Sequence, residues 1–460
     1  MNSPTLRREL GLADLVLLNV AAVVSVRWIA AAAHVGPGVL LLWLLAILLY
    51  FLPCALAVVE LATRFPGEGG YYLWTRQAFG ERHAFVCGWM AWWSNLVFFP
   101  NLALATAGMA VYLWAGENRA VVLTLSLVIF WLPVLTNLAG LRIGKWGPNL
   151  GGVCTFLAGV LLVACGALVA WRYGAANSFA QSALLPAPDF DKLNFWSQIA
   201  LALVGIELGA VLGAEVKRPL RDLPRAALLA SFVIAALFLL GTAALLMLVP
   251  AADVNIVTGI VQAAEVAGAR LGAAWLAPLM AVIVTLALTG NLASWVAGAA
   301  RFPFVIGVDR HLPAAFGRLH PRFGTPHVAL LTEGIVGTVL LLAAQVGETA
   351  RGAYLLLVDL TILATMIPYL YQFAALLRLA RDPLRGSLPE HVLVPGGRPG
   401  LLAAGCSGFG TTLLAAVLSV IPPPGLTNGW WFAAKTLGGT LLALLVGWLF
   451  YRRGSNRARI

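Results

Sequence analysis

The triplet Gly205-Ile206-Glu207 lies in the middle of an apolar stretch, 195–224, that also contains Glu215-Val216-Lys217-Arg218-Pro219. The apolar part is long enough to enter a membrane. A carboxylate inside the hydrocarbon core costs roughly 2.5 to 3.5 kcal/mol on insertion scales, so it is retained where it lines a cavity, binds an ion or carries a proton. Glu207 is therefore the first candidate functional residue in this chain.

The composition is typical of a membrane protein. Of 460 residues, 61% are hydrophobic and 11% are charged, whereas about 25% are charged in soluble domains. The apolar residues come in runs of about 20, the length of a membrane-spanning helix. This pattern predicts an all-α polytopic membrane protein with twelve transmembrane spans, numbered in chain order: 12–34, 39–62, 84–114, 120–139, 147–171, 194–214, 226–250, 273–300, 327–344, 352–377, 400–421 and 428–451.

The distribution of basic residues predicts the orientation, because cytoplasmic loops carry the excess of Lys and Arg. With the N-terminus inside, most of the 30 Lys and Arg fall in cytoplasmic segments. We therefore expect a multi-pass protein of the cell membrane (inner or plasma membrane), with both termini cytoplasmic. The net charge of +11 then faces anionic membrane lipids, and nucleic-acid binding is not expected.

Two short helix-like segments, 71–80 after span 2 and 253–270 after span 7, occupy equivalent positions if spans 1–5 and 6–10 are repeats. Such repeats are inverted because five is odd, and their first helices are broken near the midplane, where substrate binds. We expect one transmembrane domain covering 1–460. Its parts are a first repeat at 1–172, a second at 190–378, two additional helices at 400–451 and a basic cytoplasmic tail at 452–460.

Other kinds of site find little support in the sequence. The five cysteines are scattered through predicted spans without CxxC spacing, which argues against a zinc site or a disulfide framework. The pair Asp189 and Asp191 has no second acidic cluster, and Gly144-Lys145 lacks the spacing of a phosphate-binding loop. We expect no metal, no cofactor and no ATP hydrolysis.

Four stretches resemble the amino acid–polyamine–organocation superfamily of transporters, and the similarity covers nearly all of spans 1–10. They are Glu60 to Pro66 running on to Gly80, Asn137 to Lys145, Gly205-Ile206-Glu207 with 215–226, and Arg301 to Pro313 ending in Gly324-Thr325-Pro326. The resemblance implies a LeuT-like fold, a five-plus-five inverted repeat with broken helices 1 and 6, to which spans 11 and 12 are added.

The sequence departs from this family at the break in span 1. Family members usually have a Gly-Ser-Gly-like triplet there, whereas counting from Leu10 places Ser25-Val26-Arg27 on it. Glycine lets backbone amides turn toward a ligand at little steric cost, so any unwinding must rest on other residues. Arginine in place of the second glycine is well suited to grip a carboxylate.

The expected site combines both breaks. The predicted substrate-binding residues are Ser25, Val26, Arg27, Trp28, Gly205, Ile206 and Glu207. The candidate proton-coupling residues are Glu207 and Asp359, and the candidate gate residues are Trp295 and Trp93. Arg27 and the amides after the first break would hold a carboxylate, and Glu207 would face an amine or carry a proton.

Each of these assignments has a structural alternative. Glu207 can be a buried acid bonded to a neighbouring helix. The glycines at 205, 209 and 213 recur every four residues, a pattern typical of close helix packing. Arg27 lies far enough along span 1 for its side chain to reach the outer interface.

The resulting functional hypothesis is secondary active transport of amino acids by alternating access, as proton-coupled symport or substrate exchange. Proton-coupled members of the superfamily that the chain resembles sometimes have a lysine within span 5. Its absence here lowers the weight of symport, and sodium coupling is the least favoured. The partners expected are a small-molecule amino acid, protons as the candidate coupling ion, and membrane lipids; the oligomeric state is not predicted. Alternatives are transport of polyamines or related amines, a non-transporting membrane sensor and, least favoured, a membrane-embedded enzyme.

Overall fold

The computed structural model describes residues 6–111, 118–184, 190–343, 350–380, 394–421 and 429–457. Within these ranges the structure is helical apart from connecting loops, and ten segments are long and apolar enough to cross a membrane. Two predicted spans are not among the ten. The sixth is divided into shorter helices, and the described helix of the ninth has 17 residues. The chain is an all-α multi-pass membrane protein.

The helices of spans 1 to 5, with those between them, are Leu12–Val23, Arg27–His34, Val39–Ala46, the π-helical turn Ile47–Phe51, Leu52–Arg64, Tyr71–Phe79, Glu81–Val111, Arg119–Leu138, Leu141–Gly144 and Trp146–Tyr173. Those that follow through span 8 are Gln181–Leu184, Phe190–Ala202, Leu208–Val211, the 3-10 turn Gly213–Glu215, Pro219–Leu248, the 3-10 turn Ala251–Asp253, Gly259–Leu271, Leu276–Ala299 and Arg301–Val308. Spans 9 to 12 are His327–Ala343, Ala350–Leu379, Gly397–Leu418 and Gly429–Arg457.

The two short helices expected after spans 2 and 7 are present, as Tyr71–Phe79 and Gly259–Leu271. The first begins after a sharp turn in which Gly69 and Gly70 have φ of +94° and +48°. A side chain on Gly70 would meet the backbone of Val211. Glycine therefore lets the loop after span 2 lie directly against the end of span 6.

The helix of the twelfth span continues beyond residue 451, where the span is predicted to end. It extends to Arg457, so most of the segment expected to be a tail from residue 452 continues the helix. The guanidinium of Arg452 lies 4.0 Å from the centre of the Trp448 ring, one turn earlier. This contact between a cation and an aromatic face helps the charged end of the helix to stay folded beyond the apolar part.

Span 1 lies at the centre of the bundle and span 12 at its periphery. In the most apolar part of span 1, 89% of the residues are buried, whereas in the most apolar part of Ala433–Gly454 only 22% of the residues are buried. Spans 5 and 8 pack closely because Gly151 faces Gly290, and a side chain on either would overlap the other's backbone. This packing helps to hold span 8 against span 1, with which Asn291 and Trp295 are in contact.

Candidate functional site

The first span is broken between Val23 and Arg27, although no glycine is present there. In the break, the N–H of Ser25 donates to the carbonyl of Val23 at 2.9 Å, so the regular helical bonds to Ala21 and Ala22 are lost. Span 8 replaces them. Asn291 donates from Nδ2 to the carbonyls of Ala21 and Ala22, at 2.6 and 2.9 Å.

The indole of Trp295 adds a third bond across the same contact, since its N–H donates to the carbonyl of Ala22 at 3.0 Å. Buried carbonyls without a donor are costly, by about 1–3 kcal/mol each. Side chains of span 8 therefore stabilise an opening in span 1 that the local sequence does not itself require.

The sixth span is broken between Ala202 and Leu208, and here a glycine is required. Gly205 has φ of +122°, and a Cβ on it would lie 2.9 Å from the Trp295 ring. Its freed N–H donates to the hydroxyl of Tyr369 on span 10, at 2.9 Å. The packing stripe considered for glycines 205, 209 and 213 is therefore not a continuous helical face.

The other two glycines of that stripe do make close contacts. Gly209 donates its N–H to Oδ1 of Asn19 on span 1, at 3.2 Å. A side chain on Gly213 would collide with the backbone of Gly67, in the loop after span 2. The second half of span 6 is thus packed against both span 1 and that loop.

Glu207 ends the break in span 6 and is fully buried. Its Oε2 accepts a hydrogen bond from the hydroxyl of Tyr369, the same hydroxyl that accepts from Gly205. Its Oε1 has no hydrogen-bond partner among the described residues. One oxygen of the carboxylate is thus fixed by Tyr369, and the other accepts no hydrogen bond from the described residues.

A cavity lies between the two breaks, and it is bounded by spans 1, 3, 6, 8 and 10 together with Tyr71. Its lining contains Ala22, Val23, Ser25, Trp28, Tyr71, Ser94, Asn95, Phe98, Leu201, Val204, Glu207, Asn291, Trp295, Thr361, Thr365, Pro368 and Tyr369. Among the lining residues that the structure describes, Glu207 is the single carboxylate, and Lys and Arg do not occur. The hydroxyl of Ser25, like Oε1 of Glu207, is buried without a hydrogen-bond partner in the described structure.

The predicted site residues whose side chains the structure describes divide into two groups. Ser25, Trp28, Glu207 and Trp295 line the cavity. Five others do not: Val26, Arg27, Gly205, Ile206 and Trp93. The side chain of Asp359 lies outside the part of the chain that the structure describes, although its backbone belongs to the helix of span 10.

Arg27 takes a position that was not expected. It is 4% exposed, so it does not reach the membrane interface. Its Nη1 donates to Oδ1 of Asn101 on span 3 at 2.5 Å, and its guanidinium lies 4.8 Å from the ring centre of Trp28 and 5.5 Å from that of Phe98. Because both rings line the cavity, Arg27 lies behind the cavity wall.

Several residues of the cavity were not selected from the sequence. Tyr369 is the most important, because it bonds both Gly205 and Glu207. Thr361 and Thr365 lie on the same span. Polar residues within an otherwise apolar span 10 were the available signal, but pairing them with residues about 160 positions away requires the fold.

Comparison with known proteins indicates that the chain is a transporter. The family model described as amino acid permease matches residues 10–443. An uncharacterized transporter of Legionella pneumophila is 30% identical over 97% of both chains. A probable agmatine/putrescine antiporter of Lactococcus lactis is 26% identical, over 80% of this chain and 79% of the relative. A glutamate/gamma-aminobutyrate antiporter of the same species is 24% identical, over 84% and 78%.

The family match covers nearly the whole chain, including both breaks, and the relatives named above are transporters rather than enzymes. The chain belongs to the amino acid permease family, within the amino acid–polyamine–organocation superfamily, and is a membrane transporter.

Proposed function

We propose that this protein moves amino acids across the cell membrane by alternating access, as substrate exchange or proton-coupled symport. The observation that carries the proposal is the arrangement of the cavity between two broken helices. A buried carboxylate with one open oxygen, Glu207, lines it together with the break in span 1. A buried charge of this kind is expensive and is retained where it serves a ligand or an ion.

The amino group of the substrate is proposed to bind Oε1 of Glu207. An ammonium donates charge-assisted hydrogen bonds to carboxylates, and these are stronger than neutral ones. Tyr369 holds the other oxygen and so orients the carboxylate. Carbonyls freed in the break of span 6 would accept the remaining ammonium hydrogens.

The carboxylate of the substrate is proposed to bind at the break in span 1. The helix Arg27–His34 begins there. Its N–H groups at Trp28 and Ile29 already donate to the carbonyls of Ser25 and Val26, at 2.9 and 3.1 Å, so a carboxylate would be held by the positive end of the helix rather than by these two groups. That end favours an anion. Ser25 contributes a hydroxyl without a partner in the described structure. Arg27 would add positive potential from behind Trp28 rather than a direct bond, which revises the direct grip expected from the sequence.

The proposed architecture is twelve spans, in which two inverted repeats, 1–172 and 190–378, are followed by two additional helices at 400–451. The breaks in the first and sixth spans occupy equivalent places in the two repeats, as do the helices Tyr71–Phe79 and Gly259–Leu271. With both termini cytoplasmic, Arg76 and Arg310 lie inside and Arg270 lies outside. Reaction of a cysteine at position 310 with an impermeant reagent on intact cells would contradict this topology.

Residues at or near the cavity are also proposed to carry the coupling proton and to act as the gate. Glu207 can carry a proton when no ammonium is bound, and Asp359, two residues before the cavity residue Thr361, is the second candidate. Trp295 is the better placed of the two candidate gates, because its ring lies 6.1 Å from that of Phe98 across the cavity lining. The relatives named as antiporters favour exchange over symport.

Transport of amines that lack a carboxylate is the second candidate. It is favoured by the absence of Lys and Arg from the described cavity lining, in which Glu207 is the single carboxylate. A relative is named as a probable agmatine/putrescine antiporter. In this alternative both the Ser25 region and the helix beginning at Arg27 would contact an uncharged part of the substrate.

Solute counterflow with purified protein in liposomes tests these possibilities. Vesicles loaded with acidic, neutral or basic amino acids or with polyamines are assayed for uptake of the labelled compound. We expect exchange of amino acids, a large loss with Glu207→Gln, and no loss with Glu265→Gln, the same change at an exposed position. Exchange of polyamines alone would support the amine alternative, and binding without exchange would indicate a sensor.

A further inference from the structure

A buried ionic cluster that is separate from the cavity joins three parts of the chain. Arg301, which follows the helix of span 8, is 1% exposed. Glu215, at the end of span 6, accepts from its Nη2 at 2.9 and 2.7 Å and from its Nε at 3.1 Å. Glu68, in the loop after span 2, brings Oε1 to 3.5 Å from the same Nε.

The charges of this cluster do not balance. Two carboxylates share one guanidinium, which leaves a net charge of −1 if both are ionised. An uncompensated charge in a buried place is costly, and groups in that situation change their protonation state instead. Glu215 makes short bonds to two nitrogens of Arg301 and is therefore the ionised partner. Glu68 is therefore the carboxyl group that carries the proton.

The surroundings of Glu68 agree with this assignment. Its side chain is 9% exposed, and its Oε1 has no hydrogen-bond partner among the described residues. Its Oε2 accepts from the N–H of Ala214 at 3.1 Å. Glu68 also lines a second cavity, which opens at the end of the bundle that the proposed topology places in the cytoplasm. Protons can therefore reach it from that side.

The other ionisable groups near the cluster come from several elements. Glu333 of span 9, which accepts from the indole of Trp92 at 3.1 Å, acts electrostatically on Arg301. The ionisable residues that line the second cavity with Glu68 are Arg8, Tyr72, Arg76, Arg218, Arg221 and Asp309. Of these, Arg76 is bonded to Asp309 at 3.1 Å and Arg218 lies 3.6 Å from Asp222. These neighbours do not replace Arg301 as the counter-ion inside the cluster.

We propose that Glu68, Glu215 and Arg301 form a proton-binding site, with the proton on Glu68, that holds the cytoplasmic side of the transporter closed. The site fastens the loop after span 2, the end of span 6 and the end of span 8 to one another. Loss of the proton places two anionic carboxylates at one nitrogen of Arg301, and their repulsion favours separation of the loop from span 6.

The pKa of Glu68 has the direction that this site needs. Burial raises the pKa of this carboxyl well above its ordinary value, and the nearby carboxylate of Glu215 raises it further, while Arg301 acts in the opposite direction. A group with a raised pKa keeps its proton until the pH rises through that value. Protonation and closure are therefore lost as the cytoplasmic pH rises, so high internal pH favours opening inward.

Infrared spectroscopy of the purified protein tests the site without any need for transport activity. The spectrum of wild type minus that of Glu68→Gln, at neutral pH, should contain the carbonyl band of a protonated carboxylic acid. Glu265→Gln, the exposed control, should not remove this band. Absence of the band from the wild type minus Glu68→Gln spectrum, or its loss in Glu333→Gln with retention in Glu68→Gln, would overturn the proposal.

Glu215→Gln provides an independent variant in case Glu68→Gln folds poorly. Without the charge of Glu215, ionised Glu68 alone balances Arg301, so the band should be lost at neutral pH. A band that persists unchanged in Glu215→Gln would overturn the charge-balance argument. The consequence for gating rests on the proposed transport function, and it is measured separately, as counterflow against internal pH. Wild type should become faster as internal pH rises, whereas Glu68→Gln should respond less, because only groups such as Glu207 are left to titrate; an equal response of both would contradict the gating role.

Discussion

The two broken helices are opened in different ways. In span 6 the break contains Gly205, whose φ of +122° few other residues adopt. In span 1 the residues of the break are Val24, Ser25 and Val26, and the lost bonds are replaced by Asn291 and Trp295 of span 8. A helix can thus be opened by a residue that permits the turn or by a neighbour that captures its carbonyls.

Both breaks nevertheless share one requirement. Each frees buried backbone groups, and these groups find partners on another span: the carbonyls of Ala21 and Ala22 on span 8, and the N–H of Gly205 on span 10. Trp295 contacts both breaks, because it donates to Ala22 and would meet a side chain at position 205. The comparison predicts that substitutions in the two breaks lower stability by different amounts and disrupt different contacts.

The largest effect is expected from Gly205→Ala. A non-glycine residue at this φ costs about 1–3 kcal/mol in strain, and overlap of its Cβ with Trp295 adds roughly 1–3 kcal/mol. We expect a large drop in the apparent melting temperature in detergent and loss of counterflow. Gly36→Ala is the matched control, since Gly36 has φ of +103° and open space around its Cβ position. Equal destabilisation by both variants would mean that the contact with Trp295 contributes nothing.

A smaller effect is expected from Asn291→Ala. It leaves the carbonyl of Ala21 without a donor and removes one of the two hydrogen bonds to the carbonyl of Ala22, at a cost of about 2–3 kcal/mol. Trp295→Phe is the internal comparison. It removes one bond to Ala22, whose carbonyl Asn291 still satisfies, so its effect on the apparent melting temperature should be less than half as large. If Trp295→Phe is the more harmful change, span 1 is held open mainly by the tryptophan.

A smaller effect on stability than that of Asn291→Ala is expected from Tyr369→Phe. It deprives Gly205 of an acceptor and Glu207 of a donor, at a cost of about 1–2 kcal/mol, while the ring remains in place. Its effect on transport should be the larger one, because the Glu207 carboxylate is no longer oriented. Tyr50→Phe is the control, as its ring lies 6.1 Å from that of Tyr369 but does not bond Gly205. Counterflow unchanged by Tyr369→Phe would contradict an orienting role.

Much of the fold could be predicted from local sequence. Long apolar runs predicted the membrane spans, and helix-like segments were predicted at 71–80 and 253–270, in the loops after spans 2 and 7. The interruption of span 6 was also local, because Gly205 and Glu207 are both unfavourable in an apolar helix. The helix of span 12 continues past the predicted end of the span, where Arg452 contacts Trp448, and hydropathy alone does not predict this continuation.

The site was less accessible to sequence reasoning, since its bonds join distant positions. Ser25, Trp28 and Glu207 could be named from their place near a predicted break, and Trp295 from the resemblance of span 8 to the family. The direction of the Arg27 side chain could not, because Asn101 and Phe98 on span 3 determine it. Tyr369 and Asn291 were missed as partners for the same reason: the backbone groups that they bond are exposed by unwinding, which hydropathy does not show.

The most direct test of the central claim, that Glu207 binds the amino group of the substrate, is a matched pair of ligands. The affinity of the best amino acid from the counterflow panel is compared with that of its 2-hydroxy acid, which keeps the carboxylate but lacks the ammonium. Wild type should prefer the amino acid by about 10- to 100-fold, the equivalent of one charged hydrogen bond. In Glu207→Gln this preference should fall to a few-fold or less. A preference that is the same in both proteins would contradict the role of Glu207.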